Sequence, residues 1–367
     1  MVPFVDISKE FEIFKSEIFS RIQRVLFNSQ FILGEEVAKF EANISELFQI
    51  SYAVGLNSGT DALHFALLAN GIGKGDKVIT TPFSFIATTE AILYCGATPV
   101  FVDIDANTYN IDPEKIEDAI DEKTKALLIV HLFGNPCNME RILEIVKKHN
   151  LILIEDCAQS FGSKYNNRFV GTFGKAGCFS FYPSKNLGAY GDGGMVITNY
   201  HEIYKKFLLY RNHGLGADGS HNIIGFNSRL DSIQAAVLNV KVEYLNQFID
   251  KRRKLASLYK ELLKDVEEII FPHEYENSYH TYNLLTIRAK KRDELKKFLT
   301  ENGINTGIYY RAPIPEQPAM RFLNVDKDSY FIASNICNQV LSLPLYPNLS
   351  EGIVKKIALK IKEFYAK

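Results

Sequence analysis

The chain has 367 residues, 46% hydrophobic and 23% charged, with a formal net charge of −1. That length can bury one large core and a smaller one. The two signs of charge are interspersed, which excludes a basic stripe for nucleic acid and an acidic disordered tail. Small anions stay open as ligands, because helix ends and single side chains hold them locally. The five cysteines, Cys95, Cys137, Cys157, Cys178 and Cys337, form no CxxC pair. Neither a zinc site nor a disulfide framework is expected, and they read as reduced, packed thiols. Met1–Asp6 lacks a basic patch followed by an apolar core, so no signal peptide is expected. No apolar run approaches the about 20 residues of a membrane span. The expectation is a cytoplasmic protein with no membrane partner.

In chain order, residues 8–26 read as an amphipathic helix with Ile13, Ile18, Ile22 and Val25 inward, and 35–48 as a second helix. From residue 52 the pattern turns to short apolar runs, at 52–56, 77–80, 99–102, 126–130 and 151–155. Helical stretches near 60–70, 85–95, 113–121 and 138–149 lie between them. This alternation predicts an α/β fold, a mostly parallel sheet covered by helices on both faces. Two more strands are predicted at 178–182 and 195–198. A long helix from about 229 into the charged run 250–254 bridges to a smaller domain with helices at 256–264, 292–301 and 351–365 and a strand at 282–287. The expected division is 1–245 and 246–367. Residues 309–318 are too proline-rich for a helix or a central strand.

Three segments carry chemistry. Lys185 stands between an apolar run and the glycine-rich 188–194 turn. A lysine held and partly dried there has a lowered pKa and becomes a nucleophile toward a carbonyl, although a lone loop lysine is usually solvated. Asn57-Ser58-Gly59-Thr60-Asp61 joins a strand to a helix, which suits a phosphate and suits equally an ordinary N-cap. Asp156 ends the apolar run 151–155, where open α/β sheets place ligand chemistry. Such an acid caps the next helix or binds a ligand; a metal lacks a supporting cluster of His and carboxylates. Beside a pyridine nitrogen it would hold the ring protonated. Phe85, just past another strand, is either core or a stacking ring. Ser180 offers a hydroxyl five residues before Lys185.

In this order the chain resembles the fold type I, pyridoxal phosphate (PLP)-dependent sugar aminotransferases of the DegT/DnrJ/EryC1/StrS family. The matching segments are FILGEEVAKFE (31–41), NSGTDALHFAL (57–67), GKGDKVITTPFSFIATTEAI (73–92), GATPVFVDIDANTYNIDP (96–113), IEDCAQSFGSKYNN (154–167), FSFYPSKNLGAYGDGG (179–194) and GFNSRLDSIQAAVL (225–238). They span essentially the whole chain. The resemblance implies a large domain built on a mostly parallel seven-stranded sheet and a smaller α/β domain. It implies that Lys185 carries PLP as a Schiff base and shuttles the proton, that Asp156 pairs with the ring nitrogen, that Phe85 stacks on the ring and that Gln159 sits by O3′. Gly59, Thr60 and Ser180 would hold the phosphate. Asn227 would reach the phosphate of the other subunit, which implies a homodimer.

The implied reaction moves an amino group from L-glutamate to a nucleotide-linked keto sugar, in making an amino sugar for surface glycans such as lipopolysaccharide. GTDAL, TYNIDP and LSLPLYP (341–347) are most similar to members that aminate C3, on UDP- or dTDP-linked sugars; C4 amination is the alternative. By the same resemblance Ser29, Phe31, Ser184, Arg229, Tyr309 and Tyr310 would line the sugar cleft, the two tyrosines coming from the partner subunit. Ser29 stands where a glycine is usual, Phe31 where a tyrosine is usual and Tyr309 where a histidine is usual. An unpaired buried polar group costs about 1–3 kcal/mol, so these departures leave the nucleotide and sugar open.

Lys185 argues against the family's dehydratases, which carry histidine there. A non-catalytic, cofactor-binding regulator would be expected to lose Lys185 or Asp156. No GxGxxG follows an early strand, and Gly71–Gly75 reads as a helix C-cap and turn. His131 is either packed or site-lining. His213 takes no assigned chemistry, and Arg311 is a solvated arginine or a diphosphate contact.

Overall fold

The computed structural model describes residues 1–366. Two N-terminal helices, α1 (Ser8–Asn28) and α2 (Glu35–Phe48), precede the alternating region. There β1 (Tyr52–Leu56), α3 (Gly59–Ala69), β2 (Lys77–Thr80), α4 (Ala87–Tyr94), β3 (Thr98–Phe101), β4 (Thr124–Val130), α5 (Met139–His149) and β5 (Ile152–Asp156) follow in turn. A small hairpin, β6 (Lys164–Tyr165) and β7 (Arg168–Phe169), leads to β8 (Ala176–Ser180), β9 (Gly194–Thr198) and α6 (His201–Arg211). The main sheet has seven strands in the order β1-β9-β8-β5-β4-β2-β3. β9 pairs antiparallel with both of its neighbours, and the pairs from β8 to β3 are parallel. Six strands therefore point the same way.

Alternation along the strands builds two cores. On β4, Leu128 and Val130 face a cluster with α3 and α4, whereas Leu127 and Ile129 face α5. α2 and α7 (Ser232–Lys241) close the second face through Phe40, Ile44, Phe48, Ala235 and Leu238. Gly71 and Gly75 both take positive φ, as a C-cap and turn require.

α8 (Leu245–Leu263) leaves the large core at Ile249 and enters another at Leu255. That second core lies between β10 (Ile269–Ile270), β12 (Leu285–Ala289) and β13 (Val340–Leu343) and the helices α9 (Arg292–Glu301) and α11 (Glu351–Tyr365). β11 (Ser278–Tyr279) pairs with β6 of the hairpin. α10 (Phe331–Cys337) packs back on the large core through Ala333, Ile336 and Cys337. Buried Asp103 caps it, accepting from the N–H groups of Ile332 at 2.7 Å and Ala333 at 2.9 Å.

Four expectations change. On α1 the inward residues are Phe14, Ile18 and Val25, and Ile13 is half exposed, because Phe14 and Ile18 share a face that Ile13 is turned away from. Residues 113–121 form two 3-10 turns, Pro113–Lys115 and Glu117–Ala119, rather than a helix. The helix after 229 is two helices separated by a 3-10 turn at Val242–Tyr244, where the Tyr244 ring packs on Phe14 of α1 at 4.8 Å. α6 and the α10–β13 segment were not anticipated. Among the described residues no helix is long and apolar enough to cross a membrane, and the five cysteines are free.

Candidate active site

Five of the parallel strands deliver residues at their carboxyl ends: β1 runs into Gly59, β2 into Phe85, β4 into His131, β5 into Asp156 and β8 into Ser180 and Lys185. This edge of an open α/β sheet is where loops converge on a ligand.

At the β1–α3 junction Ser58 is the N-cap, its hydroxyl accepting from the Asp61 N–H at 3.1 Å. The N-cap reading of this turn is observed, and the cap consumes one N–H only. The N–H groups of Gly59 and Thr60 have no acceptor among the described residues, at the positive end of the helix. A Cβ at position 59 would meet the Ser180 Cβ at 2.7 Å. Only glycine lets these two turns close to this distance, which leaves the two free N–H groups at the start of α3 beside Ser180.

Asp156 is buried. Its Oδ2 accepts from Thr88 Oγ1 at 2.9 Å and its Oδ1 from the Ala158 N–H at 3.1 Å. Since Thr88 spends its proton on the carboxylate, Ser84 Oγ must donate to Thr88, at 2.9 Å. Burial raises the Asp156 pKa, and the two hydrogen bonds and the Lys185 charge oppose that rise. Burial pushes the Lys185 amine down to about 8, with Asp156 opposing. Each of the two charges thus opposes the effect of burial on the other.

Gln159 is gripped at one end and partly free at the other. Its Oε1 accepts from the Phe133 N–H at 2.9 Å, and its Nε2 donates to the Tyr310 hydroxyl at 2.8 Å. One Nε2 hydrogen is left over for a further acceptor. Tyr310 comes from the same chain, whereas the resemblance assigned it and Tyr309 to the partner subunit. The reason is the 308–316 segment, held to the turn between β2 and α4 where the Ile314 N–H donates to the Pro82 carbonyl at 2.8 Å. Tyr309 likewise stacks within the chain, on Phe4 at 5.8 Å.

The remaining residues are more dispersed. Phe85 is 58% exposed, whereas the neighbouring Phe83 is core. Ser184 is half-buried beside Lys185. Ser29, Phe31 and Asn227 are exposed, and no hydrogen bond, ion pair or ring contact joins them to Lys185, Asp156 or Gln159 among the described residues. Ser29 caps α1 in the left-handed region at φ 54, a conformation that favours glycine. Arg229 donates to Asn212 Oδ1 at 2.7 Å, and its buried Nε is unpaired.

His131 is fully packed. Its Nδ1 accepts from the Cys137 N–H at 3.0 Å, so Nε2 carries the proton and donates to Glu155 at 3.1 Å. Glu155 also accepts from the N–H groups of Gly171, Phe173 and Gly174, each at 2.7 Å. His131, Glu155 and Cys157 lie within ligand distance of one another, but these hydrogen bonds occupy the carboxylate. Arg311 and His213 are exposed. Thr88 and Ser84 join Asp156 in one hydrogen-bonded chain; Thr88 stands in the first turn of α4, eight residues past the end of β2, and nothing in the sequence ties it to position 156.

The set fits PLP: two free N–H groups at the start of a helix, a buried acid, a dried lysine, an exposed ring and an amide with a spare donor. This is the class of fold type I, PLP-dependent aminotransferases. The profile of the DegT/DnrJ/EryC1/StrS aminotransferase family matches residues 12–362, and the chain belongs to that family. Its members use PLP. The chain is 45% identical over 366 residues to a "pleiotropic regulatory protein" of Geobacillus stearothermophilus, covering 99% of this chain and 98% of the relative. It is 42% identical over 361 residues to the UDP-N-acetyl-3-dehydro-α-D-glucosamine 3-aminotransferase of Acidithiobacillus ferrooxidans, covering 98% and 97%. Among solved structures, DesV of S. venezuelae in complex with a ketimine intermediate superposes with a TM-score of 0.97 at 37% identity, covering 100% of this chain and 99% of that one.

Proposed function

We propose that the protein transfers an amino group from L-glutamate to C3 of a UDP- or dTDP-linked keto sugar, as a cytoplasmic homodimer supplying an amino sugar for surface glycans such as lipopolysaccharide. The observation that carries the reading is the buried Asp156 carboxylate at the end of β5, held by Thr88 and Ala158, with Lys185 on the loop that follows the neighbouring strand β8. The similarity to a sugar 3-aminotransferase over nearly the whole chain supports C3 over C4.

When bound, PLP supplies the electron sink and carries the amino group between the two substrates. The chain's residues do the rest. Gly59 and Thr60 N–H groups and the Thr60 and Ser180 hydroxyls hold the phosphate. Asp156, oriented by Thr88 and Ala158, keeps the ring nitrogen protonated. Gln159 offers its free Nε2 hydrogen to O3′, and Phe85 covers a ring face. Lys185 Nζ holds the coenzyme between turnovers and, once released, takes the proton from one carbon and returns it to another. Its low pKa keeps part of the amine unprotonated near neutrality, as a base requires. Ser29, Phe31, Ser184, Arg229, Tyr309 and Tyr310 are proposed to line the sugar cleft, and Asn227 to reach across to the partner's coenzyme.

The homodimer finds support in exposed apolar side chains around the end of α1: Phe19, Leu26, Phe27, Phe31, Ile32 and Leu33. A run of this kind marks a docking surface on a soluble protein.

The test is incubation with PLP, glutamate and UDP- or dTDP-linked 3-keto and 4-keto sugars, with NMR of the product. Nitrogen on C3 supports the reading and nitrogen on C4 moves it to the alternative. A second reading, a PLP-binding regulator, is favoured by the name of the Geobacillus relative. It has no need of a dried lysine and a buried acid, and absence of turnover with every sugar would favour it.

A further inference from the structure

The loop that presents Lys185 is gripped from outside by a buried lysine, Lys241. The loop closes on itself where the Ala189 N–H donates to the Phe181 carbonyl at 2.8 Å and the Lys185 N–H to the Tyr182 carbonyl at 2.9 Å. Gly188 lies so close to its start that a Cβ there would stand 2.4 Å from the Pro183 carbonyl oxygen. Lys241, near the end of α7, is 3% exposed. Its Nζ donates to the Gly188 carbonyl at 2.7 Å. An ammonium buried this deeply needs a counter-charge, and Glu10 of α1, itself buried, supplies it at 3.3 Å. The other groups facing Lys241 are the Tyr190 ring, 5.3 Å away, and the charge of Arg252 on α8. Arg252 in turn binds the Tyr282 and Leu345 carbonyls of the small domain. Neither Lys241 nor Glu10 touches the β1–α3 turn, Asp156 or Gln159.

We infer that Lys241 is a positioning residue for Lys185: by holding the Gly188 carbonyl, and by being held in turn by Glu10, it fixes the seat from which the Lys185 amine meets the coenzyme and the substrate carbon. The N-terminal helix α1 thereby completes the site from a distance. A buried ion pair is a weak stabiliser, since desolvation of both charges offsets their attraction. Its clear structural product here is the position of one loop carbonyl, three residues past the nucleophile. Proton transfer is sensitive to such placement, and a shift of about 1 Å costs on the order of a hundredfold in rate.

The inference rests on Lys185 being the coenzyme lysine, and the test separates the two. Lys241→Met and Glu10→Gln holoenzymes are compared with the unsubstituted protein and with Val354→Ala, a core truncation in α11 that sets the effect of lost stability alone. Four quantities are read: melting temperature, the pH midpoint of the shifted visible band of lysine-bound coenzyme, kcat, and KM for glutamate. Lys241→Met is expected to move the band's midpoint by about half a pH unit or more and to lower kcat by about tenfold or more at little-changed KM, with Glu10→Gln doing the same more weakly. Val354→Ala is expected to lose melting temperature with the midpoint unmoved. A Lys241→Met protein that only melts earlier, with midpoint and kcat unchanged, overturns the inference. Should Lys241→Met not fold, Glu10→Gln carries the test with the same readouts. Absence of a shifted band in the unsubstituted protein overturns the Lys185 assignment, and this inference with it.

Discussion

The Gln159 side-chain amide donates to the Tyr310 hydroxyl at 2.8 Å, joining residues 151 positions apart in one chain. Tyr310 is half-buried and its phenol is pushed well above the ordinary value by desolvation, so it stays neutral and serves as acceptor to Gln159. Tyr310→Phe strands the Gln159 donor and is expected to cost about 1–3 kcal/mol of stability. Because Gln159 keeps its bond from the Phe133 N–H, PLP should still bind. Thermal denaturation and coenzyme titration check both halves; unchanged stability would show that the phenol is not needed.

Lys185 predicts a pH dependence with a definite sign. Its amine titrates at about 8 in the folded chain against 10.5 ordinarily, because burial favours the neutral form. Between those values the unfolded chain holds a proton that the folded chain lacks, so this group raises stability as pH climbs from about 8 to 10.5. Below 8 the buried charge is a burden. Lys185→Met should therefore stabilise the coenzyme-free protein more at pH 7 than at pH 10, relative to the unsubstituted chain. Borohydride trapping of PLP should yield more adduct as pH passes through 8, and none in the variant.

Much of this was legible in the sequence because local pattern and tertiary demand agree. α2, α9 and α11 lie at 35–48, 292–301 and 351–365 as their periodicity indicates, and Asp156 falls at the end of a continuous apolar run. α6 was not legible: only Phe207 is buried on it, so no stripe marks its inner face. The break at Val242–Tyr244 has no glycine or proline to announce it, and the Tyr244 ring packs there on Phe14 of α1. Around the site, residues joined by one strand end could be read together. Contacts made across the fold, Thr88 to Asp156, Tyr310 to Gln159 and Lys241 to Gly188, leave no trace in spacing along the chain.

Ser29 offers a test on the surface. It sits at φ 54 as the C-cap of α1, with its N–H bonded to the Leu26 carbonyl and its side chain exposed. Ser29→Gly removes the Cβ clash of the left-handed region without removing a packed group. A gain of about 0.5–1 kcal/mol is expected in chemical denaturation. If the sugar cleft does use the Ser29 hydroxyl, the same variant should raise KM for the nucleotide sugar and leave KM for glutamate alone.

Gly59 couples the β1–α3 turn to Ser180. A methyl group at 59 would stand 2.7 Å from the Ser180 Cβ, an atom fixed to backbone rather than the end of a flexible chain. β8 and the start of α3 must then part by several tenths of an ångström. Overpacking of this kind costs about 1–3 kcal/mol, and the part that falls on this turn should appear as weaker PLP binding, by about tenfold. Gly59→Ala should thus need more coenzyme for half-saturation while its saturated kcat stays near that of the unsubstituted protein, because Lys185 and Asp156 are untouched.

Asp156 and Thr88 separate charge from orientation. Asp156→Asn keeps the shape and can still accept from Thr88, but it cannot hold a ring nitrogen protonated. The coenzyme should bind, and kcat should fall by at least about a hundredfold, as for loss of a charge-stabilising group at a reacting centre. Thr88→Val leaves the carboxylate charged and removes one of its two donors and the terminus of the Ser84 relay. A hydrogen bond to a charged group contributes about 1.5–3 kcal/mol, so stability should drop by that order and the Asp156 pKa should rise further, since the lost bond was one of the effects lowering it. The signature is a loss of kcat at low pH, where the acid protonates first, with recovery as pH rises. In Asp156→Asn the loss should be flat with pH. Two identical profiles would mean that Thr88 does not act through Asp156.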